Sequence, residues 1–320
     1  MAKVSRPAAP IYGEDCIRWA AARLARAPLV YGHGTDNPFD EAAALVFGAA
    51  GWPHSAAPDA YRWALPVAAR RRLERFVERR VRERVPSAYL TGRTWFAGHE
   101  IRVDERVLVP RSPIAELIEH RFRPFVAPDT VKRVLDVGTG SGCIAIACAH
   151  AFPRARVDAA DVSADALEVA RDNIRLHRLE RRVRAVLSNV YGGLGATRYD
   201  LIVSNPPYVP SADVDALPEE YAREPRLGLD AGHDGLDTVR RILAGAADRL
   251  TPAGVLVVEV GDTDERVQAA WPAVPFLWLE FERGGGGVFL LSRDTLVEHR
   301  RALAPPAAAG GTRPRARRVR

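Results

Sequence analysis

The residues with the clearest capacity for chemistry are Asn205, Pro206, Pro207 and Tyr208, four in a row directly after the apolar run YDLIVS. Two prolines cannot continue a helix or donate to a sheet ladder, so they fix a rigid loop. If YDLIVS is a strand of an open α/β sheet, that loop lies at the carboxyl edge, where such folds bind ligands. There the Asn205 side-chain oxygen and the Pro206 backbone carbonyl can each accept a hydrogen bond from a planar –NH2 group, and Tyr208 can stack on the same plane. The nucleophile this suits is an amide or an exocyclic amine. Such nitrogens are weak because their lone pair is delocalised. Acceptors that hold both hydrogens favour the pyramidal nitrogen of the transition state over the planar ground state. In-line attack on a cofactor methyl then needs positioning more than a strong base. A Pro-Pro surface turn is the plain alternative.

A second constellation lies at VLDVGTGSGCIAIA. A strand delivers Gly138, Thr139, Gly140, Ser141 and Gly142 into a turn that opens a helix, and glycines let backbone approach a ligand closely. A dinucleotide fingerprint wants G-x-G-x-x-G, with pyrophosphate on the helix N-terminus. Here the spacing is G-x-G-x-G, and Asp136 precedes it. An acid there repels a pyrophosphate and favours the ammonium and sulfonium of S-adenosylmethionine. Asp161 ends the next strand, where an acid can accept both ribose hydroxyls. The alternatives are a glycine turn that binds nothing and an Asp161 that caps the following helix, although Ser163 is available for that.

These residues need a framework, and the rest of the chain predicts one. VKRVLDV, ARVDAAD, RVRAVLS, YDLIVSN and GVLVVEV read as strands, with helical patterns between them. FLWLEFE and VFLLSR, separated by Gly284 to Gly287, read as a closing hairpin. The fold class is therefore α/β: the Rossmann-like, seven-stranded sheet with an antiparallel last strand of a class I S-adenosylmethionine-dependent methyltransferase. From Asp15 to about Tyr89 the periodicity is helical, a small N-terminal domain. WFAGHEIRVDERVLV (95–109) alternates around Asp104-Glu105 and reads as a β-hairpin joining the halves. The expected organisation is a disordered 1–10, a helical substrate-recognition domain 11–94, a hairpin linker 95–112, a catalytic domain 113–300 and a basic disordered tail 301–320.

Composition sets the class boundaries. The chain has 320 residues, 47% hydrophobic and 27% charged, which excludes wholesale disorder. No apolar run approaches the length that spans a membrane. Three cysteines, Cys16, Cys143 and Cys148, suit a reducing cytoplasm rather than a disulfide framework. Cys143 and Cys148 are expected to be packing residues. The eight histidines are scattered and show no ligand spacing with the cysteines, so no metal is expected. The net charge is +6, but segment 70–84 carries +5 and the C-terminal tail another +5, leaving the remainder at −4.

GTGSG, Asp161 and SNPPYVP together resemble the glutamine N5-methyltransferases of the HemK type, and the similarity runs from about residue 15 to 295. The resemblance implies methylation of a side-chain amide in a protein of the translation machinery, with S-adenosylmethionine as cofactor. One branch acts on the Gly-Gly-Gln loop of release factors, the other on a glutamine of the third large-subunit ribosomal protein. YGHGTDNPFDEA (Tyr31 to Ala42) and VPRSPIAELI (Val109 to Ile118) look like the ribosomal branch. The first is also readable as an elaborate cap, with Asp36 or Asn37 capping and Pro38 in the first turn. The resemblance places Arg111 at the active-site mouth, where the alternative is pairing with a surface acid. It makes GLDAGHDGLD (Gly228 to Asp237) a lid or substrate-side loop. In the family a third-strand acid often holds the adenine amine; Asn189 stands there, with Val190 in place of an aromatic, and the Asn189 amide oxygen can still accept.

The rival enzyme class is an adenine-N6 DNA or RNA methyltransferase, which uses a similar loop and flips its base. The −4 balance argues against a long basic track for it. A release-factor enzyme is the nearer alternative, and a non-catalytic binding module the remaining one. The expected partner is the ribosomal protein or a ribosome-assembly intermediate. Segment 70–84 is either a solvated helix face with i,i+4 Glu–Arg pairs or a contact to ribosomal RNA.

Overall fold

A computed structural model describes residues 12–304; the expected extension 1–10 and residues 305–320 of the expected tail lie outside the described residues. The N-terminal part is helical: α1 (Gly13–Leu24), α2 (Pro38–Ala50), α3 (Val67–Glu83) and α4 (Ser87–Thr91). Asn37 caps α2, its side chain accepting from the N–H groups of Phe39 at 3.0 Å and Asp40 at 2.9 Å, with Pro38 following. Gly51 ends it at φ 71°. The apolar stripes of α1, α2 and α3 meet in a core containing Ile17, Leu24, Leu45, Val46, Leu73 and Val77.

The joining hairpin forms, but not where the alternation suggested. β1 (Arg93–Phe96) pairs antiparallel with β2 (His99–Arg102), and the turn is Ala97-Gly98 rather than Asp104-Glu105. Both turn residues have positive φ, 46° and 77°, which matches the twist of a two-residue hairpin. Asp104 instead closes a local turn, its carboxylate accepting from the backbone and guanidinium of Arg106. Beyond it Val107 and Val109 are buried without a ladder partner, packed in the same core as Phe96 and Ile101.

The C-terminal part follows α5 (Ile114–Glu119) as β3 (Arg133–Val137), α6 (Cys143–Ala151), β4 (Arg156–Asp161), α7 (Ala164–Leu176), β5 (Val183–Leu187), β6 (Tyr199–Ser204), α8 (Ser211–Val214), α9 (Asp237–Arg249), β7 (Leu250–Glu259), α10 (Asp264–Ala270), β8 (Leu277–Leu279), β9 (Val288–Ser292), α11 (Arg293–Glu298) and α12 (Arg300–Leu303). The sheet order is β5-β4-β3-β6-β7-β9-β8, parallel except for β9, which runs against both neighbours. The last strand is thus antiparallel, as expected, and sits one place in from the edge. Alternate strand residues feed two cores: Val134, Leu201 and Val257 on one face, Leu135, Ile202 and Leu256 on the other. α12 occupies the first residues of the expected tail, with Leu303 buried, so order extends further than composition implied. Among the described residues no helix is long and apolar enough to cross a membrane.

The chain winds from β3 outward to β5, then returns to place β6 on the other side of β3. That reversal is a topological switch point, where open α/β sheets bind ligands at the strand carboxyl ends. The glycine loop leaves β3 there and Asn205 leaves β6.

Candidate active site

Gly138, Gly140 and Gly142 all adopt positive φ, at 72°, 53° and 82°. The N–H groups of Gly138 and Thr139 donate to the Ala160 carbonyl at 2.8 and 2.9 Å, pinning the loop to β4. A Cβ on Gly138 would lie 3.8 Å from the Asn205 carbonyl oxygen and 3.9 Å from Pro206 Cα, so the two sequence motifs meet. Ser204 secures the seam, its hydroxyl donating to the Val137 carbonyl at 2.7 Å. Around that seam lies a cavity of about 330 Å3.

Asp136 is fully buried and does not form part of the cavity wall, whereas Val137 to Ser141 do. Its Oδ2 accepts from the Thr139 hydroxyl and from the Ala145 N–H at 3.1 Å, and its Oδ1 has no partner among the described residues. Burial pushes this carboxyl up to about 7, against the hydrogen bonds of Thr139 and Ala145 and with the charge of Asp161 adding. The carboxylate expected to favour the cationic end of the cofactor therefore lies beneath the loop. When ionised, an uncompensated carboxylate there favours a cation above it through its field.

Asp161 is on the wall, accepting from the Gly140 N–H and the Ser163 N–H, each at 2.9 Å. Burial raises its pKa despite those bonds. Ser163 takes the capping role, accepting from the Ala166 N–H at 3.1 Å. Asn189 and Val190 also line the cavity, but the Asn189 oxygen already accepts from the Arg241 guanidinium at 2.7 Å. Arg241 stands on α9, and nothing local in its sequence marks it. Cys143 reaches the wall with its thiol pushed up to about 12 by burial, and Cys148 is buried, as a packing role requires.

Asn205, Pro206, Pro207 and Tyr208 line the cavity together. Among the described residues nothing hydrogen-bonds the Asn205 side chain or the Pro206 carbonyl, so both acceptors stand open. The Tyr208 ring is backed by Gly261, where a Cβ would lie 2.6 Å from Cε2. Nearby Glu259 is buried, pushed up to about 7 by that burial, and accepts from the Ser112 hydroxyl. GLDAGHDGLD contributes Gly228, Leu229 and Asp230 to the wall, and Asp230 bridges Val209 just after the Tyr208 loop.

Arg111 lines the same cavity, but its partner is an interior acid and not a surface one. It holds Glu224 in a two-pronged pair at 2.6 and 2.6 Å, with the Glu224 side chain fully buried. Burial opposes ionisation of Glu224, and the hydrogen bonds from Arg111, with the His33 ring nearby at 3.6 Å, outweigh it, holding the carboxyl at about 2. Arg111 also borders a second groove of about 630 Å3, lined by Gly32, His33, Asp36, Asp40 and Trp95. YGHGTDNPFDEA is thus both a cap, through Asn37, and a wall. Sequence reasoning missed Glu224, which has no local signal.

A methyltransferase small domain model matches residues 122–220, the stretch carrying the glycine loop, Asp161 and Asn205 to Tyr208. Two curated relatives, the ribosomal protein uL3 glutamine methyltransferases of Xylella fastidiosa strains Temecula1 and 9a5c, are each 46% identical over 294 residues, 92% of this chain and 94% of theirs. The chain belongs to this family of uL3 glutamine methyltransferases. A solved methyltransferase from Pyrococcus furiosus is 22% identical, covering 59% of this chain and 87% of its own, with a TM-score of 0.42.

A glutamine methyltransferase has to bring a side-chain amide to a methyl donor, and S-adenosylmethionine fits the donor set present. Asp161 and the glycine loop suit the adenosine, and Asp136, whose Oδ1 has no hydrogen-bond partner among the described residues, supplies negative charge when ionised. Two features of this methyltransferase's charge differ from the expectation. Arg80, within the basic stretch, is 1% exposed and paired with Glu41 at 2.6 Å and Glu220 at 3.0 Å. The catalytic half also holds a basic cleft of about 550 Å3, where Arg133, Arg156, Arg171, Arg181 and Arg184 gather with Asp158 and Glu180. It opens at the amino ends of β3, β4 and β5, the edge opposite Asn205, so it does not lead nucleic acid to the site.

Proposed function

We propose that this chain transfers a methyl group from S-adenosylmethionine to the side-chain amide nitrogen of a glutamine in ribosomal protein uL3, acting in the cytoplasm. The observation that carries the reading is the pair of open acceptors, Asn205 and the Pro206 carbonyl, set against the glycine loop. When bound, the cofactor supplies an electrophilic methyl on sulfur. Asn205 and Pro206 accept the two amide hydrogens and favour the pyramidal nitrogen, while Tyr208 stacks on the amide plane. The wall carries no His or Lys, and Asp161 and Asp230 are already hydrogen-bonded, so no idle base adjoins the nitrogen. None is required, because the methylated nitrogen is strongly acidic and releases its proton to water.

The helical domain 11–94 recognises the protein substrate, with the groove beside Arg111 as the approach. Exposed Arg71, Arg75 and Arg79, with half-buried Arg70, offer the face for ribosomal RNA, and Arg80 is excluded from it by burial. Neutralising those four should weaken binding of a ribosome-assembly intermediate and flatten its salt dependence.

Labelled S-adenosylmethionine offered with uL3, a release factor and duplex DNA tests the assignment. Mass spectrometry should map the label to one glutamine of uL3. Label on the release factor alone moves the chain to the other branch, and label on DNA alone overturns amide chemistry.

A further inference from the structure

The expectation of no metal rested on the spacing of histidines along the chain, and folding changes that spacing. His99 on β2, His150 on α6 and His177 at the end of α7 come together on the surface, with donor atoms all within 4.8 Å of one another. None of the three lines the catalytic cavity. His99 stacks on His150 at 4.3 Å, and His177 stands edge-on to both, at 5.8 and 5.3 Å.

One pair already has the geometry of two ligands. His150 Nε2 and His177 Nδ1 are 3.4 Å apart. The edge of a tetrahedron around an ion with metal–nitrogen bonds of about 2.05 Å is about 3.35 Å. His177 Nε2 lies 2.7 Å from the Glu100 carbonyl oxygen, which can only accept. That partner places the His177 proton on Nε2 and turns the Nδ1 lone pair toward His150. An imidazole donating to a backbone carbonyl through one nitrogen and presenting the other is the arrangement that orients metal-bound histidines. His150 is exposed, so its ring can rotate to bring His99 into the same sphere.

We propose that His99, His150 and His177 bind one divalent first-row transition ion, zinc above all, with water in the fourth position. An all-imidazole set suits zinc, copper and nickel and disfavours magnesium and calcium, which want oxygen. The ion ties the joining hairpin to α6 and α7, the helices that begin beside Gly142 and Ser163. Occupancy should therefore stabilise the fold around the cofactor loop.

The test uses the full, untagged chain stripped with a chelator, titrated with Co2+ read by visible absorption, then challenged with Zn2+. The expected result is one equivalent bound, with the intense bands of a tetrahedral nitrogen site, displaced by Zn2+. Zn2+ should also raise Tm by several degrees. His150→Gln and His177→Gln should weaken binding at least tenfold and cancel the Tm shift, with methyl transfer unchanged. Absence of saturable one-to-one binding, or binding equal in the variants, overturns the proposal. If a variant fails to fold, the wild-type spectrum decides: weak octahedral bands refute the site.

Discussion

The guanidinium of Arg80 meets the carboxylate of Glu220 at 3.0 Å in the interior, 140 positions apart in the chain. Arg80 also donates to Glu41 and to the Val30 carbonyl, while Glu220 accepts from the Val30 N–H at 3.0 Å. The helical domain is thus locked to the loop that precedes the cavity wall at Pro225. Removing Glu220 leaves one N–H of the Arg80 guanidinium and the Val30 N–H without their buried acceptor, while Glu41 still answers the Arg80 charge. Glu220→Ala should cost about 2 kcal/mol in denaturant unfolding.

Asn205→Ala should lower kcat by at least about 100-fold, the scale for losing one oriented transition-state contact. Cofactor affinity should stay near wild type, because the loop and Asp161 are untouched. Calorimetry for binding and label transfer for turnover separate the two.

Asp136 should make cofactor binding pH-dependent. Its folded pKa, about 7, exceeds its ordinary value of 3.8, so the ligand-free fold retains a proton that the unfolded chain releases. This group's contribution to stability therefore falls as pH rises from about 4 to about 7. A bound cation prefers the ionised form, so affinity for S-adenosylmethionine should rise roughly tenfold between about pH 6 and about pH 8. Asp136→Asn should weaken binding and flatten most of that slope.

Gly261→Ala should displace Tyr208. The position has φ 50°, and the added methyl would lie 2.6 Å from the ring. Methyl transfer should drop by up to about 100-fold while cofactor affinity holds. Unchanged turnover would show that Tyr208 does not help orient the acceptor.

The parallel strands, the glycine loop and Asn205 to Tyr208 were legible because their signals are local: apolar runs, glycine spacing, two adjacent prolines. The hairpin was displaced because burial of Val107 and Val109 extends the apolar-polar rhythm past the true turn, while Gly98 carried the turn signal. Asp136 was legible as an acid at the right place, but its depth below the loop is a property of packing. Arg241, Glu224 and the partners of Arg80 depend on contacts between distant segments, which no window of sequence displays. The same holds for charge: acids elsewhere in the catalytic half hide the arginines that gather at the amino ends of β3, β4 and β5 in any sum.

The position of β9 has a consequence for synthesis. The helical core closes with residues up to Leu90, so it can form early as the chain is made. The face built by Phe96, Ile101 and Val109, however, shares its core with Val288 and Leu290. Until those residues emerge, β7 has a bare side and β8 has nothing to pair with. An unfinished chain therefore carries an open sheet edge and an apolar face together, the combination that invites association with other chains. The final strand acts as a keystone: its arrival seals both liabilities at once.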